Sequence, residues 1–322
     1  MVGLEDIIAA QARIAGKVRE TPVRQSASLA RLAGAPVWLK CEHHQDTGAF
    51  KLRGASNAVA RLDDGKAGGI KGVTTASTGN HGRALAQAAR DHGMDAVICV
   101  SRLVPRNKID AIEALGAEAR VIGATQDEAF EEAHRLEAEE GFALIPPFDH
   151  PDVIAGQGTL GLEILAQIPD VGAIAVPLSG GGLLAGVAAA AKALRHDIRI
   201  IGISMENGAA MSEALKAGHP VDVTEVETLA DSLGGGIGMQ NRLTFPMVRD
   251  LMDDLILLSE DEIAAGIRHL SVAEGEVVEG AAAVGAGAVL AGKLVSDRPL
   301  VLILSGGNID LARHAAIVRG EA

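Results

Sequence analysis

A lysine follows a glycine-containing loop at the predicted start of a helix. The segment from Thr47 to Gly54 reads TGAFKLRG, and its lysine is Lys51. A helix N-terminus carries partial positive charge, which disfavours a second cation and lowers the pKa of a lysine amine. A lowered pKa is what a nucleophilic lysine that forms a Schiff base requires. Read alone, the segment leaves open a solvated surface lysine, because most lysines are of that kind.

A polar loop lies between a later predicted strand and the helix that follows it. The loop consists of Ser77, Thr78, Gly79, Asn80, His81 and Gly82. Backbone N–H groups and small hydroxyls at a helix N-terminus can bind a carboxylate. The alternative is a plain strand-to-helix turn in which Ser or Thr caps the helix. Read alone, His81 fits a structural hydrogen bond better than a general base.

Three consecutive glycines stand between another predicted strand and helix. The run comprises Ser179, Gly180, Gly181, Gly182 and Leu183. Such glycines let the backbone curl tightly and point several N–H groups at one anion. We interpret the run as a phosphate-binding loop that works without basic side chains.

The same glycines also fit a dinucleotide-binding fingerprint. Gly180, Gly182 and Ala185 match its G-x-G-x-x-A form, and Glu206 follows after the next strand. A nicotinamide dehydrogenase is therefore an alternative, although the other polar segments have no role in nicotinamide binding.

A fourth polar segment closes an apolar strand predicted over Leu300–Leu304 and opens the last helix. It runs from Ser305 through two glycines to Asn308. Ligands of open α/β sheets bind at the carboxyl ends of the strands. Ser305 would present a neutral hydroxyl to that crevice, unless the segment is an ordinary helix cap and turn.

The run Glu42-His43-His44, with Asp46 nearby, contains residue types that bind metals. Adjacent histidines in an extended segment point to opposite faces and cannot share one ion. We therefore predict no metal site.

The elements that must position these segments alternate between helix and strand along almost the whole chain. This pattern predicts an α/β fold with mostly parallel sheets covered by helices. The expected strands are Val37–Lys40, Gly72–Ala76, Asp95–Val100, Glu118–Ile122, Ala143–Ile145, Ala173–Leu178, Arg199–Ser204, Asp254–Leu258 and Leu300–Leu304. We predict a large domain over residues 1–68 and 146–322, a small domain over 69–145, and a hinge at Pro146-Pro147.

The composition limits which macromolecules the protein can bind and in which cellular compartment it can work. The formal net charge is −13, so the chain should repel nucleic acid. No apolar stretch reaches transmembrane length, and the N-terminus lacks the features of a signal peptide. Cys41 and Cys99, the two cysteines, cannot form a disulfide framework. We expect a soluble cytoplasmic protein that binds neither nucleic acid nor membrane.

Together and in this order, the four segments resemble the fold-type II pyridoxal-phosphate enzymes, specifically the threonine/serine dehydratase and serine racemase group. The resemblance runs from about Ile7 to the end of the chain. The stretches Thr75–Ala84, Ser101–Pro105 and Ala230–Gly238 look most similar to dehydratases associated with hydroxyectoine utilisation. The resemblance implies a two-domain fold like that of the tryptophan synthase β subunit, pyridoxal 5'-phosphate as cofactor, and a homodimer.

The resemblance also implies a role for each matching residue. Lys51 matches the lysine that binds the cofactor as a Schiff base, and Asn80 matches the partner of its phenolic oxygen. Ser305 matches the partner of the pyridine nitrogen. The phosphate loop corresponds to Ser179, Gly180, Gly181, Gly182 and Leu183, and the loop that holds the substrate carboxylate corresponds to Ser77, Thr78, Gly79 and His81. Glu279 and Asp231 match acidic positions near the active site.

Several positions depart from the family pattern. Ala49 replaces a frequent serine. Thr78 stands where racemases carry a serine that acts as a base on the second face of the substrate, so Thr78 is a candidate catalytic residue and racemisation is in doubt. Glu206 matches one acid of a divalent-cation site in some relatives, but Ser212 stands where the second acid would be, which puts that metal in doubt.

The implied reaction is α,β-elimination of water from an amino acid of the threonine or serine type, giving a 2-oxo acid and ammonia. The resemblance also implies a role in hydroxyectoine catabolism. The alternatives are a β-hydroxyaspartate dehydratase, a serine racemase, the nicotinamide dehydrogenase considered above, and a non-catalytic binding module that retains the fold.

Overall fold

The computed structural model describes residues 1–63, 69–77, 79–104 and 106–321. Within these residues the strands are, in chain order, β1 (Val23–Gln25), β2 (Val37–Lys40), β3 (Gly72–Ala76), β4 (Asp95–Val100), β5 (Glu118–Val121), β6 (Phe142–Leu144), β7 (Ala173–Pro177), β8 (Arg199–Met205), β9 (Asp254–Leu258) and β10 (Leu300–Ile303). The helices are α1 (Leu4–Arg13), α2 (Ala27–Ala33), α3 (Lys51–Asp63), α4 (Asn80–Asp91), α5 (Arg106–Glu113), α6 (Gln126–Glu140), α7 (Pro151–Gln167), α8 (Gly182–Leu194), α9 (Ala210–Ala217), α10 (Thr244–Leu251), α11 (Glu260–His269), α12 (Gly280–Leu290) and α13 (Leu311–Arg319).

The strands form two sheets. The larger sheet has the order β1-β2-β10-β7-β8-β9, and the smaller has the order β5-β4-β3-β6. All pairs are parallel except β1 with β2. Every residue of β3, β7 and β10 is buried. Strands without an exposed face need helices on both sides, so the predicted α/β class with two helix-covered sheets is confirmed.

Helix α3 links the two sheets. Its apolar residues Leu52, Ala55 and Val59 share a core with Val73 and Leu85 of the small-sheet region. The four strands of the small sheet all lie between residues 72 and 144. The exact division into 1–68 with 146–322 and 69–145 stays a prediction, and α3 shows that packing crosses the boundary expected at residue 68.

Among the predicted helices, the first and the last have wrong bounds. The sequence pattern predicts the first helix over Leu4–Val18, but it ends at Arg13, because Gly16 adopts a left-handed φ of 75° and the chain turns there. The last helix begins at Leu311 rather than directly after Ser305, because Asp310 caps it by accepting a hydrogen bond from the Arg313 N–H group. Among the described residues, no helix is long and apolar enough to cross a membrane.

A buried network of charges fixes the start of α3. The Arg53 guanidinium donates to Glu42 through Nε (2.8 Å) and to Glu163 through Nη1 (2.6 Å). The Lys40 amine donates to the same Glu163 at 2.8 Å. Arg53, Lys40 and Glu42 are fully buried. Burial alone would raise the pKa of Glu42, but Arg53, Thr21 and Lys40 together outweigh that effect and hold the pKa below its usual value.

Glycines let α3 approach α7 closely beside this network. A Cβ atom on Gly54 would lie 2.8 Å from the Val153 carbonyl oxygen, and one on Gly156 would lie 2.5 Å from the Arg53 carbonyl oxygen. No larger residue fits without moving a helix backbone. Charge pairing and close packing therefore both set the position of α3 and of Lys51 at its first turn.

Replacing Arg53 with Met should destabilise the protein by about 3–5 kcal/mol, because Glu42 and Glu163 would lose their buried partner. Urea unfolding followed by circular dichroism measures the loss. The matched control is Arg106→Met, which removes only the exposed ion pairs with Asp110 and Glu113 and should cost less than about 1 kcal/mol. Equal losses in both variants would show that the network does not anchor the fold.

Candidate active site

One cavity opens at the carboxyl ends of β3, β7 and β10, strands of both sheets. Its lining includes all the predicted site residues that the structure describes, which are Lys51, Ser77, Gly79, Asn80, His81, Ser179, Gly180, Gly181, Gly182, Leu183 and Ser305. Thr78 lies outside the described residues. Asp231 and Glu279 also line the cavity, as do Phe50, Pro147 and Phe148. Segments far apart in the sequence therefore meet at the strand ends, where ligands of such sheets bind.

Lys51 is the first residue of α3, and its amine donates to the Pro147 carbonyl at 2.7 Å. Burial lowers the pKa of Lys51 to about 8, and the charge of Glu279 opposes part of that shift. At pH 7 roughly a tenth of the amine is therefore uncharged and nucleophilic, far more than for an ordinary lysine.

The backbone preceding Lys51 is joined to the segment that follows β10. The Phe50 N–H group donates to the Ser305 carbonyl at 3.0 Å, and the Gly307 N–H group donates to the Gly48 carbonyl at 2.9 Å. Ala49 and Gly306 form an antiparallel bridge. These bonds hold Lys51 and Ser305 on one wall of the cavity.

The glycine loop presents bare backbone to the cavity. Gly181 has a φ of 87° and caps the N-terminus of α8, where the first N–H groups have no partner within the helix. A Cβ atom on Gly180 would lie 2.3 Å from the Phe148 ring. Backbone N–H groups at a helix N-terminus, with no side chains over them, fit a dianionic phosphate. Sequence reasoning missed Phe148, and its position directly after Pro146-Pro147 was the available signal.

A chain of amides and charges orients Asn80. Its Nδ2 donates to both oxygens of Glu279, at 2.9 and 3.1 Å. Its Oδ1 accepts from Asn308 at 2.6 Å, and the Asn308 oxygen accepts from Arg83 at 2.8 Å. Burial, followed by the nearby charge of Asp231, raises the pKa of Glu279. Sequence reasoning identified Asn80, Glu279 and Asp231 but missed the role of Asn308 in joining them.

His81 is buried and uncharged. Its Nε2 donates to the Ile145 carbonyl at 2.8 Å, which leaves Nδ1 unprotonated and without a partner among the described residues. Burial, with a smaller effect from Lys51, lowers the pKa of His81 to about 3. Its side chain therefore offers an acceptor, and a carboxylate held by this loop would need other donors. The predicted role of His81 in substrate binding stays a prediction.

The argument that placed His43 and His44 on opposite faces is wrong. Residues Glu42–His44 form a 3-10 turn rather than an extended segment, and the two imidazole centroids lie 4.2 Å apart. The acids of the same run are engaged elsewhere, because Glu42 pairs with Arg53 and Asp46 pairs with Arg19.

The chain is similar over nearly its whole length to proteins of known family. Residues 14–306 match the family model described as pyridoxal-phosphate dependent enzyme, so the chain belongs to that family. A Sinorhizobium fredii protein provisionally named threonine dehydratase is 54% identical over 99% of this chain and 96% of its own length. The L-threonine ammonia-lyase of Thermotoga maritima is 39% identical over 97% of this chain and 77% of its own length. The structure of maize serine racemase superposes with a TM-score of 0.90 at 36% identity, covering 99% of this chain and 97% of the other.

Within the family, the chain is a lyase related to threonine dehydratases, and its cofactor is pyridoxal phosphate. The cavity fits that cofactor, because it combines an amine of lowered pKa with a side-chain-free anion loop. The dehydrogenase alternative is wrong. The family match over residues 14–306 identifies pyridoxal phosphate rather than a nicotinamide as the cofactor.

Gly181→Ala should weaken cofactor affinity about tenfold or more. The new methyl group would be forced into a left-handed conformation and would lie 2.9 Å from Met211 Cε and Val248 Cγ2, which moves the loop. Fluorescence titration of the cofactor-free protein measures the affinity. Gly218→Ala is the control, because Gly218 has a similar φ of 79° at the end of α9 with nothing within 4 Å. Unchanged affinity in Gly181→Ala would place the phosphate elsewhere.

The rate of covalent cofactor attachment should depend on pH through Lys51. The charged amine cannot attack, so the rate should rise about tenfold per pH unit below pH 8 and level off above it. Absorbance after mixing the cofactor-free protein with pyridoxal phosphate measures this rate. Glu279→Gln should move the midpoint to lower pH, because the opposing charge is removed. A midpoint near 10.5, the ordinary value for lysine, would contradict the lowered pKa.

Proposed function

We propose that the protein catalyses α,β-elimination of water from a β-hydroxy amino acid of the threonine or serine type. The observation that carries the proposal is the position of Lys51. A buried amine with a lowered pKa faces the same cavity as the glycine loop, Asn80 and Ser305. The names of the similar proteins support this reaction, since they include a threonine dehydratase and an L-threonine ammonia-lyase.

Different residues of the cavity would bind different groups of the cofactor. Lys51 would hold the aldehyde carbon, and the loop from Ser179 to Leu183 would hold the phosphate. Asn80 would bind the phenolic oxygen in the orientation that Glu279 and Asn308 impose. The hydroxyl of Ser305 would bind the ring nitrogen, and as a neutral group it can donate or accept without enforcing protonation. When bound, the cofactor supplies an electron sink for the bond broken at the substrate α-carbon.

Lys51 would also act as the base. Its amine, when not holding the cofactor, would remove the α-proton of the bound substrate, and its lowered pKa would make it an effective base near neutral pH. The β-hydroxyl takes up a proton and departs as water. The enamine released from the enzyme then takes up water, giving the 2-oxo acid and ammonia, so that the net reaction consumes only the amino acid.

Substrate recognition would involve the loop formed by Ser77, Thr78, Gly79 and His81. Gly79 and Ser77 border the cavity, and their N–H groups near the start of α4 suit a carboxylate. A catalytic role for Thr78 is proposed from the family resemblance alone. Serine racemase and L-threo-3-hydroxyaspartate ammonia-lyase are also among the relatives, so racemisation and β-hydroxyaspartate are the competing outcomes.

Lys51→Ala should lose covalent cofactor binding and release no ammonia from any substrate, because Lys51 carries the one side-chain amine among the described residues that line the cavity. Ammonia and 2-oxo acid are measured with L-threonine, L-serine, 3-hydroxyaspartate and hydroxyectoine derivatives, and chiral chromatography detects racemisation. Lys216→Ala, which alters an exposed lysine on α9, is the control and should behave as wild type. Full activity of Lys51→Ala would overturn the mechanism, and wild-type activity on none of the substrates would overturn the substrate class.

We further propose a cytoplasmic homodimer. Both cysteines are free and buried, which suits a reducing compartment. The homodimer rests on the family resemblance alone, and sedimentation of the purified protein tests it.

A further inference from the structure

A second group of side chains lies outside the active-site cavity, around the turn that follows β2. Three potential ligand atoms, one from each of Cys41, His43 and His44, all lie within 4.8 Å of one another. Cys41 is a fully buried free thiol, the side chain of His43 is 5% exposed, and that of His44 is 42% exposed. The group thus runs from the interior to the surface and gives an ion a path from solvent.

The hydrogen bonding of His43 has the form found at metal-binding histidines. Its Nε2 is paired with Glu276 Oε2 at 2.8 Å, while its Nδ1 is buried and has no partner among the described residues. A histidine that binds a metal through one nitrogen usually donates the other N–H to a carboxylate, which fixes the tautomer. An unpartnered imidazole nitrogen inside a protein is unfavourable unless something occupies it.

Glu276 is held in place for this role. Arg24 pairs with its Oε1, which leaves Oε2 to the two histidines, and His44 Nε2 lies 3.4 Å from that oxygen. The backbone of the turn is also fixed, because the His43 N–H group donates to the Leu304 carbonyl at 3.1 Å. The ligand set is therefore attached to the strand that leads into Ser305.

We propose that Cys41, His43 and His44 bind one divalent transition-metal ion of the Zn²⁺ type, with Glu276 orienting the His43 ring and water as the fourth ligand. One thiolate and two imidazoles are a ligand set that zinc accepts in proteins. Tetrahedral zinc at its usual bond lengths sets neighbouring ligand atoms about 3.5 Å apart, so side-chain shifts of about 1 Å would complete the site. This site is separate from Glu206 and Ser212, the positions at which the family resemblance raised a divalent-cation site.

Zinc titration of the metal-free holoenzyme by calorimetry tests the proposal. We expect the wild type to bind one Zn²⁺ per chain at this site. His44→Gln should either lose that ion or bind it at least about tenfold more weakly. His44→Gln alters a partly exposed side chain and should fold normally. His134→Gln, which changes an exposed histidine on α6, should match the wild type. Equal binding by the wild type and His44→Gln, or no saturable binding by the wild type, would overturn the site.

Cobalt provides a second readout that does not depend on activity. Co²⁺ in a tetrahedral site with a thiolate gives strong visible d–d bands and a sulfur-to-metal charge-transfer band. The d–d bands fall at longer wavelength than the absorbance of the cofactor. Cys41→Ser should lose the charge-transfer band, while His134→Gln should keep it. Weak octahedral spectra, or a charge-transfer band that survives Cys41→Ser, would assign the bound ion to another place.

Discussion

The ion pairs of Arg53 inside the protein are the interaction on which the active site most depends. Arg53 lies two residues after Lys51, so the contacts that hold its guanidinium also fix the first turn of α3. Its partners come from the turn after β2 and from α7, and Lys40 of β2 shares Glu163 with it. Removing charges from water is unfavourable, and this arrangement is stable because each carboxylate meets a cation with well-formed hydrogen bonds. The reactive amine is thereby attached to the large sheet through buried, hydrogen-bonded charges.

The site itself is built mainly from backbone. Strand ends supply Ser77, Ser179 and Ser305, and the loops after them use glycine so that N–H groups rather than side chains face the ligand. This construction would let an acidic protein with a charge of −13 bind a phosphate through backbone N–H groups, since none of the described residues that line the cavity is an arginine. The charged residues of the cavity instead adjust proton affinities, since Glu279 opposes the effect of burial on Lys51 and orients Asn80.

The sequence predicted the strands of the two sheets well because buried parallel strands are short, continuous apolar runs. Val37–Lys40, Gly72–Ala76, Asp95–Val100 and Asp254–Leu258 were predicted to the residue. The strand β1 was missed because it is a three-residue, mostly exposed edge with one apolar residue, and α10 was missed because Pro246 interrupts its pattern. The sequence led to most of the residues that line the cavity because they follow strand ends, whereas Lys51 was found from its place at a helix start. The contacts of Phe148, Asn308 and Glu276 could not be predicted, because they form between chain segments that are far apart in the sequence. The turn at His43 was wrongly predicted as extended chain.

The strand order determines which sheet can form first while the chain is being synthesised. β2 lies between β1 and β10, so its inner edge has no partner until Leu300–Ile303 has left the ribosome. The same delay applies to Lys51, because the Phe50 and Gly48 backbone groups bond to residues that follow β10. While residues 41–299 are being made, the nascent chain therefore carries an open, apolar strand edge, of the kind that recruits other chains. The smaller sheet, whose strands are all complete by Leu144, can form before then, so the binding cavity can be completed only after the small sheet.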